Sequence, residues 1–91
     1  MIRRESKSGR TRITFVLPKG EPEGRVSVVG DFNDWTPGTH TLVGRSNGTR
    51  SVGVTLDPGA TYQFRYLAEG GRWFDDPDVE QRERGNGVVL A

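Results

Sequence analysis

Apolar residues recur at every second position in four stretches of the chain. Ile13, Phe15 and Leu17 alternate with Thr14 and Val16 until Pro18 ends the run. Val26 and Val28 flank Ser27 ahead of Gly30. Val52, Val54 and Leu56 alternate with Gly53 and Thr55, and Asp57-Pro58-Gly59 follows as a turn. Tyr62, Phe64 and Tyr66 alternate with Gln63, Arg65 and Leu67, and Glu69-Gly70-Gly71 closes that run. A period of two places one face of each segment inward and the other in solvent, which is the mark of a half-buried strand. Residues 40–44, 88–90 and 72–74 are shorter candidates. The acidic stretch 76–84 lacks an apolar stripe and reads as a loop or a single helical turn. No stretch carries a 3.6-residue period. About seven short strands separated by polar turns predict an all-β protein, an antiparallel β-sandwich.

With 91 residues there is room for one small domain. Hydrophobic residues make up only 32% of the chain, so the core must be built from well-used strand positions and aromatic rings. The net charge of +1 argues against a dedicated nucleic-acid partner. The charge is nevertheless uneven. Arg3, Arg4, Lys7, Arg10 and Arg12 stand against Glu5 alone, ahead of a mildly acidic remainder. Residues 1–10 are expected to form a flexible basic arm, and residues 11–91 the folded domain. No apolar run approaches the roughly 20 residues of a membrane span. No apolar stretch follows the start as in a secretory signal, so no membrane partner is expected and the cytoplasm is the expected compartment. Cysteine is absent, which excludes disulfides and thiolate metal sites.

The chemistry available for catalysis is thin. The chain has one histidine, His40, so neither a multi-histidine metal site nor a second imidazole can be assembled. Asp75, Asp76 and Asp78 crowd a single turn. Glycoside hydrolysis needs carboxylates roughly 5–9.5 Å apart across a sugar, which neighbours in one turn do not supply. The EF-hand spacing is also missing. This cluster reads as turn and solubilising charge, with an ion or hydroxyl ligand as the sharper alternative. No catalytic residue, metal or cofactor is expected.

The aromatic signal is more informative. The only tryptophans are Trp35 and Trp73. Trp35 follows Asp31, Asn33 and Asp34, which are turn formers, and Phe32 is the ring of that segment expected to face the core. Trp73 follows the Glu69-Gly70-Gly71 turn. Two flat rings at strand ends can form a platform for the apolar face of a pyranose, with nearby amides and charged groups meeting its hydroxyls. Alternatively both rings belong to the core, as one does in immunoglobulin domains.

Val28-Val29-Gly30-Asp31-Phe32-Asn33-Asp34-Trp35 resembles the signature of carbohydrate-binding module family 48. That family includes the isoamylase N-terminal domain and the glycogen-binding domain of the AMP-activated protein kinase β subunit. The resemblance continues through residues 56–66, Glu69-Gly70-Gly71-Arg72-Trp73, Asp76-Pro77 and the closing segment 85–90, almost the whole chain. It implies an immunoglobulin-like, early-set β-sandwich that binds α-1,4-linked glucan. It also implies stacking by Trp35 and Trp73, with Arg65 and Asn86 contacting hydroxyls. Arg65 alternates with the inward-facing Tyr62, Phe64 and Tyr66, so it is expected to point outward. Where glycogen-binding members carry a leucine and a threonine, this chain has Arg82, Glu83 and Arg84.

The leading expectation is a non-catalytic module for glycogen-like glucan or maltooligosaccharide. The alternative is a protein-interaction or regulatory module of the same fold, docking a glucan-metabolising enzyme or kinase without binding sugar. A glycosidase fragment would need two placed carboxylates and a cleft, neither of which is visible in the sequence.

Overall fold

The computed structural model describes residues 2–20, 23–79 and 81–91. Its strands in chain order are β1 (Ile2–Lys7), β2 (Arg10–Pro18), β3 (Val26–Gly30), β4 (His40–Thr41), β5 (Val43–Gly44), β6 (Thr49–Leu56), β7 (Thr61–Ala68), β8 (Arg72–Phe74), β9 (Arg82–Glu83) and β10 (Asn86–Leu90). The single helical element among the described residues is a 3-10 turn at Asp31–Asn33. One sheet runs β1-β2-β6-β5. The other runs β4-β3-β7-β10-β9, with β8 paired to β7. Every pairing is antiparallel. The two sheets pack as an immunoglobulin-like β-sandwich, the predicted class.

The period-two residues supply the interior. Ile13, Phe15 and Leu17 of β2 and Val54 and Leu56 of β6 line one inner face. Val26, Val28, Phe64, Tyr66, Ala68 and Val89 line the other. Phe15 is the central ring, with centroids 5.0 Å from Phe64, 5.7 Å from Phe32 and 6.3 Å from Tyr66. These tilted and edge-on contacts suit aromatic quadrupoles better than a flat sandwich does. Phe32 packs against this core from the 3-10 turn, as its position after β3 predicts.

The first residues differ from expectation. Instead of a flexible basic arm, Ile2–Lys7 form β1, paired residue by residue with β2 from Ile2↔Phe15 to Lys7↔Arg10. The hairpin is closed by Ser8 and Gly9, with φ of 52° and 76°, as a two-residue turn of primed type requires. Only Ile2 in β1 is even half-buried. The strand therefore owes its existence to backbone pairing, which leaves no apolar alternation to read. The segment 76–84, expected as a loop or a single helical turn, is loop and turn at its described residues apart from the two-residue β9. Among the described residues no helix is long and apolar enough to cross a membrane.

Phe15→Ala is expected to cost about 3–5 kcal/mol of stability in urea or thermal unfolding, as removal of a fully buried ring does. Val43→Ala, on a side chain 52% exposed, is expected to stay within about 0.5 kcal/mol of the parent.

Candidate functional site

Strand β7 is held along both edges. On one side β3 pairs with residues from Phe64 to Ala68, and on the other β10 pairs with Thr61–Phe64 and β8 with Tyr66–Ala68. Its alternation is therefore imposed from both sides. Phe64, Tyr66 and Ala68 enter the core, and Gln63, Arg65 and Leu67 stand on the outer face of the sheet. Trp73 lies opposite Leu67 on β8 and is 44% exposed. Trp35 is half-buried in the loop after β3. Neither tryptophan belongs to the core cluster, which counts against the reading of both as core rings.

The loop that carries Trp35 is built from hydrogen bonds. The Asn33 carboxamide accepts from the Gly30 backbone N–H at 3.1 Å, and it donates to the Val28 carbonyl at 3.1 Å and to His40 Nδ1 at 3.0 Å. His40 thereby serves as a structural acceptor on β4. The Trp35 N–H returns to the Gly30 carbonyl at 2.9 Å. Asp34 and Trp35 both take left-handed backbone, with φ of 53° and 56°, which costs non-glycine residues about 1–2 kcal/mol each. Gly30 is required for a different reason. A Cβ there would lie 2.5 Å from the Gln63 carbonyl oxygen and 2.9 Å from the Phe32 ring, so only glycine lets β3 and β7 close up at this point.

Two further bonds tie the loop to the sheet. Trp35 Nε1 donates to Asp31 Oδ1 at 2.9 Å, and the Gln63 backbone N–H donates to Asp31 Oδ2 at 2.8 Å. Trp35 thus stands level with Gln63. Trp73 stands level with Leu67, roughly 13 Å further along β7 at 3.3 Å per residue. Between them, Asn86 Nδ2 donates to Gln63 Oε1 at 2.9 Å. Arg65 Nε meets Asp75 Oδ1 at 2.9 Å, and the other Asp75 oxygen lies 3.5 Å from Arg82 Nη1. A shallow, open depression of about 320 Å³ adjoins Leu67, bounded by Ser27, Pro37, Gly38, Gly70 and Gly71.

Of the four residues singled out from the sequence, Arg65 and Asn86 are joined through Gln63 and its strand, and Trp73 shares their sheet. Trp35 reaches them by way of Asp31. Gln63 was not singled out, although it occupies the same outward phase of β7 as Arg65. The sequence marks Asp31 as a turn former, and Asp75 as turn and solubilising charge with an ion or hydroxyl ligand as the alternative.

The acidic turn divides its labour. Asp75 lies in the ion-pair chain. Asp76 is only 1% exposed and serves as a structural acceptor. Tyr66 donates its hydroxyl to Asp76 Oδ2 at 2.8 Å, and the Asp78 N–H donates to Oδ1 at 2.9 Å. The Asp76 carbonyl accepts from Arg82 Nη2 at 3.0 Å. This corrects the reading of the whole cluster as solubilising charge. Burial first, and then the neighbouring Asp76 carboxylate, push the Tyr66 hydroxyl far above the ordinary tyrosine value. No cluster of metal-ligating side chains occurs among the described residues.

No family model matches the chain. The chain is similar to the 1,4-alpha-glucan branching enzyme GlgB of Salinibacter ruber, with 44% identity over 55 residues. The matched stretch is 59% of this chain and 9% of that enzyme. This chain thus corresponds to a small part of its relative's length.

Tyr66→Phe is expected to lower stability by about 1–3 kcal/mol, because buried Asp76 loses a donor. In the parent chain Tyr66 holds its proton when folded but releases it when unfolded above pH 10.0, its ordinary value. Its contribution is therefore complete below that pH and declines above it. Urea midpoints from neutral to alkaline pH should fall more steeply for the parent than for Tyr66→Phe.

Proposed function

We propose that this protein binds α-1,4-linked glucan, a glycogen-like polymer or maltooligosaccharide, on the outer face of the six-stranded sheet, without chemical conversion of the sugar. The observation that carries this reading is the position of both tryptophans outside the core. They flank a row of hydrogen-bonding side chains, Gln63, Asn86, Arg65 and Asp75, at the surface. Indole faces cover the C–H face of a glucose unit, and amides, carboxylates and guanidinium groups satisfy its hydroxyls. The row is shallow and open, a shape that lets a polymer lie along the sheet. Similarity to part of an enzyme named for 1,4-alpha-glucan supports the same ligand class.

Stacking contributes about 1–3 kcal/mol per ring, by analogy with bases on aromatic side chains. The cost of association and of ordering side chains offsets part of this. With hydroxyl hydrogen bonds added, a net of roughly −4 to −7 kcal/mol corresponds to a Kd between about 1 mM and about 10 micromolar. A repeating polymer strengthens such weak binding by offering many sites.

Titration of maltoheptaose into labelled protein should give saturable amide shifts around Gln63, Arg65, Trp73 and Asn86, with cellohexaose as an unresponsive control. Trp35→Ala and Trp73→Ala should each weaken binding by about 1–3 kcal/mol while the amide spectrum stays folded. Absence of shifts at millimolar maltoheptaose overturns the reading and directs attention to a protein partner.

A further inference from the structure

We infer, resting on the α-glucan reading for the ligand, that Asp31 is the positioning residue of this face: its carboxylate sets the Trp35 ring against β7. Trp35 sits on a loop, and its ring would otherwise turn about two side-chain torsions. Asp31 removes that freedom with both of its oxygens. Oδ1 accepts the indole N–H at 2.9 Å, and Oδ2 accepts the Gln63 backbone N–H at 2.8 Å. Both bonds run from a neutral donor to an ionised acceptor, the stronger class of hydrogen bond. Gln63 is paired with Val88 of β10 and lies one residue before the β3 pairing begins at Phe64, so the ring is referenced to the point where β3 and β7 meet. The Gln63 carboxamide in turn holds Asn86. A continuous path, Trp35–Asp31–Gln63–Asn86, therefore crosses from the loop after β3 to β10.

Two consequences follow for the ligand. The indole N–H is already engaged, so Trp35 offers a sugar its face and not its donor. The cost of ordering the ring is met before any glucan arrives, which favours binding. A carboxylate is needed because two donors converge on one side chain, and a carboxamide at position 31 has a single acceptor oxygen.

The test compares the parent with Asp31→Ala, Asp31→Asn, Trp35→Ala and the double variant Asp31→Ala/Trp35→Ala. Maltoheptaose affinity and water exchange of the Trp35 indole proton are measured, with the Trp73 indole proton as internal control. Asp31→Ala should bind about three- to tenfold more weakly, expose the Trp35 indole proton to faster exchange, and leave amides beyond residues 30–36 and 62–64 unchanged. Asp31→Asn should fall between it and the parent. In the Trp35→Ala background, Asp31→Ala should cause no further loss of affinity. Parent-like indole protection in Asp31→Ala, or an equal loss of affinity in the Trp35→Ala background, overturns the inference. If the parent itself fails to bind maltoheptaose, the glucan reading fails alone. The indole exchange of parent against Asp31→Ala then still decides whether Asp31 sets the ring.

Discussion

The outer face depends on strand β7 being paired on both sides. With β3 along one edge and β10 and β8 sharing the other, the strand cannot slip by one residue without exposing Phe64 and Tyr66 and burying Arg65. Such a slip would exchange every side chain between core and solvent. The same register that packs Phe15 against Phe64 therefore also lines up Gln63, Arg65 and Leu67. Core packing and surface recognition are two readings of one alternation.

Around this strand the chain uses short polar side chains to fix its irregular segments. Asn33 and Asp31 shape the loop after β3, and Asp76 anchors the loop after β8 through the Tyr66 hydroxyl. The two loops are far apart in sequence, yet each is fastened to β7 itself. This explains how a domain with a thin apolar share can still present ordered surface groups: its loops are attached to the best-held strand.

Much of the architecture was legible in the sequence. β2, β3, β6 and β7 could be read because their apolar residues recur every second position, and the outward phase of Arg65 followed from the same count. By that logic Gln63 was equally legible. β1 was not, because five of its six side chains are exposed and its only signature is the Ser8-Gly9 turn. Whether Trp35 and Trp73 belong to core or surface was undecidable from pattern alone, since a loop tryptophan can fold either way. The separate roles of Asp75 and Asp76 were also hidden. Adjacent carboxylates look identical in a sequence, and only the tertiary position of Tyr66 and Arg65 distinguishes them.

The shared carboxylate of Asp75 carries a further implication. It stands between the guanidinium groups of Arg65 and Arg82, so it offsets one of those two positive charges, and the Asp31 carboxylate on the same face offsets the other. A surface organised in this way projects little long-range field. An uncharged ligand loses nothing by this, because it could not be drawn in by such a field anyway. Capture on this face would then be governed by contact and shape, and would change little with the ionic strength of its surroundings.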